Sequence, residues 1–221
     1  MMDAFKEFFD IVGVFFVLYM IGYASFLFLA VTVGTSELYQ MKRRNQLKNE
    51  LLGEYYVPVT IVVPAYNEEV TIEASIRSLL ALDYKLYEIV VVDDGSSDDT
   101  SKVVRDAFHM QQISRPIQRK IPCQAEEVIY ESYEWKVPIT LIRKKNGGKA
   151  DALNMGINAA KYPYFICMDA DSVLQYDSLE KIVRPVLEDS SVVAVGGVVR
   201  PCNGTEIHDG HVVSYRMPDQ I

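Results

Sequence analysis

The sequence has few of the residues that build covalent or metal-held scaffolds. Its 221 residues include three cysteines, three histidines and one tryptophan. Cys123, Cys167 and Cys202 are widely spaced and odd in number, so they lack the spacing of a disulfide framework or a zinc site. The histidines lack ligand spacing as well. We therefore expect free thiols, with Cys167 in the core of a strand, and histidines at the surface.

An excess of basic charge is also missing. The chain has 22 Lys and Arg against 30 Asp and Glu, for a formal net charge of −8. No basic stripe with interleaved aromatic residues is present, which argues against nucleic acid as a partner. The chain is long enough, and at 49% hydrophobic residues apolar enough, to bury the core of one domain.

Residues 11–33 form one long run without a charged residue. A helix of this length, at about 1.5 Å per residue, crosses a hydrocarbon core of about 30 Å. A secretory signal peptide would have a shorter apolar region and a basic leading end. Lys42, Arg43 and Arg44 follow the run, so the positive-inside rule predicts a cytoplasmic downstream part. We expect a single-pass anchor in the plasma or inner membrane, with residues 1–10 outside and a basic, polar linker at 34–56.

Residues 57–200 alternate between strand and helix patterns, which predicts an α/β domain. We expect strands at 59–63, 88–92, 139–142, 164–168 and 192–195, and helices at 71–82, 98–108, 150–160 and 177–187. Fully apolar strands in such alternation predict a mainly parallel sheet with helices on both faces. Residues 110–136 break the rhythm and are interpreted as an insertion, with a short hairpin as one form of it.

Two carboxylates, Asp169 and Asp171, follow the apolar run that ends at Met168. Buried strands tolerate carboxylates poorly, so this Asp-x-Asp pattern is expected just beyond the strand, where open α/β sheets bind ligands. All-oxygen ligation favours Mg²⁺ or Mn²⁺ over zinc. The alternative is a solvated turn in which Ser172 caps the next helix.

Two further motifs fall at the same end of the predicted strands. In Val63-Pro64-Ala65-Tyr66-Asn67-Glu68-Glu69, Tyr66 either has a ring face free to stack on a base or lies partly buried in a routine turn. In Val92-Asp93-Asp94-Gly95-Ser96, the adjacent carboxylates need hydrogen-bond donors, which a base and a ribose offer. An ordinary Asp-Gly turn is the alternative.

The fourth motif runs from Lys144 to Asn154. Gly147 and Gly148 let backbone N–H groups approach an anion, and Lys149 adds a positive charge at a helix start. The spacing is neither that of a P-loop nor that of a dinucleotide fingerprint. A flexible loop with a solvated lysine is the alternative.

In their order along the chain, from Val63 to Asp171, the four motifs resemble those of the family-2 glycosyltransferases of the GT-A fold. More narrowly, the chain is similar to the membrane-embedded processive branch that includes hyaluronan, chitin, cellulose and poly-N-acetylglucosamine synthases. The resemblance covers roughly residues 57–200. It implies a Rossmann-like domain that takes a nucleotide-sugar donor, expected to be a UDP-sugar, and transfers the sugar with inversion to a saccharide or lipid acceptor.

The resemblance also implies roles for individual residues. Those implied in donor binding are Pro64, Ala65, Tyr66, Glu68, Asp94, Lys149 and Asp169. Tyr66 would flank the base, Asp94 would accept from the uracil ring and Lys149 would meet the base or the diphosphate. Asp169 would contact the ribose and diphosphate side. Asp171, with Asp169, would hold Mg²⁺ or Mn²⁺, which stabilises the leaving nucleoside diphosphate.

The chain departs from the family where an acidic general base is expected. The family carries this acid in a Thr-Glu-Asp or similar motif, followed by Gln-x-x-Arg-Trp and more membrane helices. No such motif follows Gly197, so we expect the base beyond Ile221 in a longer enzyme, with residues 201–221 as the start of an acceptor-side region. A non-catalytic, membrane-anchored nucleotide-binding subunit is an alternative. A nucleotidyltransferase is another, although the glycine-rich run it usually has after the first strand is missing at 64–69.

Overall fold

The computed structural model describes residues 2–52, 56–198, 205–208 and 211–215, with side chains at 8, 11–40, 42 and 56–198. It divides into two compact units, Met1–Glu54 and Tyr55–Ile221.

The first unit is a single helix, α1, over Met2–Leu52. Within it, the 30 residues Ile11–Gln40 are long and apolar enough to cross a membrane, with a mean hydropathy of 2.3. Hydroxyl groups in this stretch bond back to the helix, as Thr32 Oγ1 does to the carbonyl of Phe28 at 2.9 Å. Where a polar linker is predicted at 34–56, the helix continues to Leu52. No proline occurs before residue 58, so nothing in the local sequence breaks the helix there.

The second unit is built on a six-stranded sheet in the order β3-β4-β5-β2-β1-β6. The strands are β1 (Val59–Ala65), β2 (Tyr87–Asp93), β3 (Gln111–Ile113), β4 (Glu126–Ser132), β5 (Ile139–Lys144) and β6 (Tyr164–Cys167). The helices are α2 (Ile72–Leu80), α3 (Thr100–Ala107), α4 (Lys149–Ala159) and α5 (Ser178–Glu188). β5, β2, β1 and β6 run parallel. The predicted, mainly parallel α/β sheet is thus confirmed.

Alternating strand residues cover the two faces of the sheet. One face carries Ile61, Ile89 and Leu141 in a core that also includes the buried side of α2 and residues of α3 and α5. The other face carries Val90 and Ile142 in a smaller core with Ala152, Met155 and Ala159 of α4. The small residues Ala152, Gly156 and Ala159 allow α4 to approach β1 closely, so the strand ends and the start of α4 come together.

The insertion at 110–136 supplies the antiparallel edge of the sheet. β3 pairs with β4, and β4 pairs with β5, both antiparallel. The predicted hairpin is therefore present, although its second strand extends the main sheet. Two further described segments, β7 (Thr205–His208) and β8 (His211–Tyr215), pair as a separate two-stranded antiparallel ribbon. Cys202 lies outside the described residues.

A buried ion network attaches this edge at the amino ends of the parallel strands. Glu131 of β4 accepts from Lys161 Nζ at 3.3 Å and lies 3.5 Å from Arg115 Nη1. Glu88 of β2 accepts from the Lys161 backbone N–H at 2.6 Å. Burial raises the pKa of Glu131, but a hydrogen bond from Tyr133 and the two cations outweigh burial and lower that pKa overall. The sequence did not predict this network.

Two expectations about strands are wrong. Residues 192–198 form no strand, although Val192–Val195 has the β-branched composition of one; these residues pair with no strand, and Val193 is 98% exposed. Cys167 is exposed instead of buried. The reason is its place in β6, which is the last strand in the described sheet and leaves Phe165 48% exposed as well.

The contact of α4 with β1 predicts an intolerant glycine. A Cβ on Gly156 would lie 2.2 Å from Val62 Cγ1. Although Gly→Ala in a helix normally stabilises, we expect Gly156→Ala to lower the free energy of unfolding by about 1–3 kcal/mol through overpacking. Trp135, the only tryptophan, lies in this unit, so its fluorescence during urea unfolding measures the change. Adding Val62→Ala should recover part of the loss, whereas a Gly156→Ala protein as stable as the parent would contradict the contact.

Candidate functional site

The carboxyl ends of the parallel strands open into one cleft of about 490 Å³. This volume lies within the usual range for small-ligand pockets, about 300–1,000 Å³. The cleft is lined by Pro64, Ala65, Tyr66, Glu68, Asp94, Asn146, Gly148, Lys149, Ala152, Asp169, Ala170 and Asp171. All eight residues predicted to bind a donor or a metal are among them. Their individual roles in binding stay predictions.

The turn after β1 presents Tyr66 to the cleft. Asn67 adopts a left-handed conformation with φ 56°, which asparagine tolerates better than most residues. Its side-chain oxygen accepts from the Ser97 N–H at 2.9 Å, and its own N–H donates to Ser96 Oγ at 3.0 Å. These bonds tie the β1 and β2 turns together and leave Tyr66 51% exposed, with its ring available for stacking.

Asp93 forms hydrogen bonds within the turn after β2 and does not line the cleft. It is fully buried, accepts from the Ser96 N–H at 2.8 Å and contacts Ser101 Oγ. The turn it closes contains Gly95 at φ +72°, where a Cβ would lie 2.8 Å from the Asn146 nitrogen. Asp93 is thus committed to local structure.

Asp94 is held from three sides inside the protein. Its carboxylate pairs with Lys144 Nζ, accepts from the Gly147 N–H at 3.0 Å and accepts from the Gly148 N–H at 2.7 Å. The side chain is only 4% exposed. The Gly147 N–H also lies 3.3 Å from the second oxygen, so four hydrogen bonds occupy the roughly four acceptor positions of the carboxylate. A base could reach this carboxylate only in competition with these donors.

The same contacts revise the expectation for the glycine loop. Gly147 and Gly148 are predicted to turn their N–H groups to a bound anion, but the anion that they face is the carboxylate of Asp94. The positive groups left for a ligand at this point are the ammonium of Lys149 and the positive end of the α4 dipole. Gly148 still lines the cleft. Asn146, Ala152 and Ala170 line it as well without having been singled out as binding residues, although the first two lie within the predicted fourth motif.

Lys144 is the functional residue that sequence reasoning missed. It is fully buried at the end of β5, and its ammonium contacts Asp94, Asp151 Oδ2 at 2.8 Å and the Lys145 carbonyl at 2.9 Å. Burial lowers the pKa of Lys144, but the hydrogen bonds to Asp151 and Asp94 outweigh burial and raise that pKa overall. The signal in the sequence was a lysine at the end of a strand, on the same face as the buried Thr140 and Ile142.

Asp169, Asp171 and Lys149 form the solvent-accessible side of the cleft. Lys149 Nζ lies 2.5 Å from Asp169 Oδ1, and these two side chains are 63% and 52% exposed. Asp171 is exposed and accepts weakly from Ser172 Oγ at 3.5 Å. The two carboxylates of the Asp-x-Asp pattern thus face the ligand space.

The carboxylates of Asp169 and Asp171 fit a magnesium or manganese ion whose remaining ligands come from water and the substrate. Among the side chains that the structure describes, no group of three or more His, Cys, Asp or Glu could hold a metal ion. Mg²⁺, however, is usually bound by one or two carboxylates together with water and substrate phosphates. Asp169 and Asp171 supply two carboxylates, and carboxylate oxygen is the ligand type that these ions prefer.

Comparison with known proteins identifies the family. The model of "Glycosyl transferase family 2" matches residues 60–121 and 124–218, which together are most of the second unit.

Poly-beta-1,6-N-acetyl-D-glucosamine synthases are similar to this chain in sequence. The protein of Staphylococcus aureus (strain COL) is 32% identical over 149 residues, which are 67% of this chain and 30% of that synthase. The protein of Staphylococcus epidermidis is 28% identical over the same shares. The chain therefore spans about a third of the length of these relatives.

Solved structures of similar chains include a mannosyltransferase of Pyrobaculum calidifontis in complex with GDP-Man and Mn²⁺. It is 27% identical, with a TM-score of 0.47 over 60% of this chain and 33% of that one. S. aureus TarS in complex with UDP-GlcNAc is 22% identical, with a TM-score of 0.44 over 60% and 32%.

The contacts of Asp94 predict that it stabilises the fold. In Asp94→Ala, Lys144 keeps a single carboxylate partner, and two N–H groups lose their acceptor. We expect the free energy of unfolding to fall by about 2–4 kcal/mol, measured by urea unfolding with Trp135 fluorescence. Asp171→Asn is the matched control: it changes an exposed carboxylate at the same cleft and should shift stability by less than about 0.5 kcal/mol. Equal stabilities of the two variants would contradict the assignment.

Proposed function

The chain belongs to glycosyl transferase family 2, and we propose that it is the donor-binding part of a membrane-anchored glycosyltransferase. The donor is a UDP-sugar, and its sugar passes with inversion to a saccharide or lipid acceptor. The names of the similar poly-N-acetylglucosamine synthases favour an N-acetylhexosamine as that sugar.

The observation that carries this proposal is the convergence of eight residues from four separate segments on one cleft. Tyr66 offers an exposed ring for the base at the end of β1. Lys149, at the first position of α4, offers a positive charge for the diphosphate. Asp169 and Asp171 follow β6 on the same side of the cleft, and Asp169 contacts the Lys149 ammonium. A nucleoside diphosphate has an aromatic end and an anionic end, and the cleft offers a partner for each.

The Asp-x-Asp carboxylates would hold Mg²⁺ or Mn²⁺, which when bound neutralises the negative charge that develops on the leaving diphosphate. The ammonium of Lys149 would stabilise the same negative charge on the diphosphate. This ammonium lies 2.5 Å from Asp169 Oδ1, which supports one shared region for Lys149 and the Asp-x-Asp pair. Phosphate oxygens placed there would meet both.

The N-terminal helix supports a location of this reaction at a membrane. Ile11–Gln40 is the apolar stretch long enough to span, and the basic residues at 42–48 follow it directly. By the positive-inside rule, the donor-binding domain lies in the cytoplasm, at the plasma or inner membrane.

The proposal predicts metal-dependent UDP binding that needs Asp171. Titration calorimetry of the purified full chain in detergent should show UDP binding with Mn²⁺, and Asp171→Asn should weaken it at least tenfold, because an amide is a poor ligand for a hard cation. Asp106→Asn, which changes an exposed carboxylate on α3, should bind like the parent. Equal affinity with EDTA and with Mn²⁺ would count against the metal site.

The orientation can be checked in sealed vesicles. With the cytoplasmic face outward, added protease should digest residues beyond about 56 and leave the fragment around residues 11–40 protected. A domain that is digested only in vesicles of the opposite orientation would refute the cytoplasmic assignment.

A further inference from the structure

Asp151 lies beside the cleft but does not line it. It is in the first turn of α4, and its side chain is 20% exposed. One oxygen lies 2.8 Å from Lys144 Nζ. Both oxygens accept from the backbone N–H of Gln124, each at 3.1 Å. Asp151 therefore joins two parts of the molecule that are separate in sequence.

The first part is the loop that bounds the cleft, residues 145–148. Lys144 has three N–H donors, and Asp94, Asp151 and the Lys145 carbonyl are its three acceptors. The Asp151 carboxyl group also packs closely on the loop: a Cβ on Gly147 would lie 2.7 Å from it. Asp151 thus restricts the position of this loop both through Lys144 and by direct contact.

The second part is the stretch between β3 and β4, residues 114–125, here called the covering segment. Asn158 exchanges two hydrogen bonds with the backbone of Ile121, at 2.9 and 2.8 Å. Asn154 Nδ2 donates to the Pro122 carbonyl at 3.1 Å. Asp151, Asn154 and Asn158 follow one another at spacings of three and four residues, so they form one polar stripe on α4. Of the three, Asp151 is the one that carries a charge and the one that reaches Lys144.

We propose that Asp151 is a positioning residue for nucleotide binding. Its charge holds Lys144, Lys144 holds Asp94, and Asp94 holds the N–H groups of Gly147 and Gly148, so the loop is preformed before a ligand arrives. Asp151 touches neither base nor phosphate. Its effect on affinity comes from the cost of ordering the loop, which a preformed loop avoids. This inference rests on the proposed function, because the ligand is a nucleotide.

The main test is Asp151→Asn. The amide keeps the shape of the side chain and one oxygen for the Gln124 N–H, but it removes the negative charge from Lys144. We expect the UDP affinity in Mn²⁺, measured by calorimetry on the full chain, to fall about tenfold, equivalent to about 1.4 kcal/mol. The matched control is Asn154→Ala, which releases a contact of the covering segment without touching Lys144, and it should bind within about twofold of the parent.

Amide hydrogen exchange without ligand separates positioning from general stability. In Asp151→Asn, the N–H groups of Gly147 and Gly148 should exchange at least tenfold faster, because their acceptor Asp94 is less firmly held. The central strands β1 and β2 should exchange as in the parent. Faster exchange throughout the domain, without a selective effect on the loop, would mean that Asp151 is only structural and would overturn the proposal.

A second variant keeps the test decisive if the first does not fold. Asp151→Glu retains the charge and should keep both the affinity and the glycine protection within about threefold of the parent. Equal losses in Asp151→Glu and Asp151→Asn would show that the charge is not what matters. A parent chain that binds no UDP would contradict the proposed function instead, while the exchange of the glycine N–H groups would still decide whether Asp151 positions the loop.

Discussion

The buried ammonium of Lys144 is the constraint on which this end of the domain depends. A lysine that is fully buried costs several kcal/mol unless its charge is met by close partners. Here two carboxylates and a carbonyl meet it, and they come from the residue after β2, the start of α4 and the loop between β5 and α4. Three elements are thus fixed at one point. The close approach of Gly95 to Asn146 follows from the same arrangement, because both lie next to the paired residues.

The acids of the site divide into two groups by burial. Asp93 and Asp94 are buried, and their oxygens accept from turn and loop N–H groups. Asp169 and Asp171 are exposed. Buried carboxylates that are already hydrogen-bonded are poor candidates for ligand exchange, because each lost bond leaves a buried donor unpaired. The exposed pair has no such cost. The geometry therefore separates residues that shape the cleft from residues that are free to meet a ligand.

Much of this could be predicted from the sequence, since the signals are local. Apolar runs of four or five residues predicted the parallel strands, and the polar motifs after them predicted the cleft, because parallel strands end at one edge. The Asp94–Lys144 pair could not be predicted in this way: its partners are 50 residues apart, and no local period links them. The exposure of Cys167 was missed for a similar reason. Whether a strand is central or at an edge depends on the order of the whole sheet.

The contact between Lys149 and Asp169 makes one side of the cleft adaptable while the other is fixed. Both side chains are more than half exposed, and ion pairs of this kind contribute only about 0–1 kcal/mol. A phosphate and a cation can replace that contact at little cost, since each side chain then gains a partner of opposite charge. The loop at 145–148 differs, because its N–H groups are bound to a buried carboxylate. A diphosphate would thus rearrange the exposed charges against a loop that stays in place, and this combination favours binding without a large ordering cost.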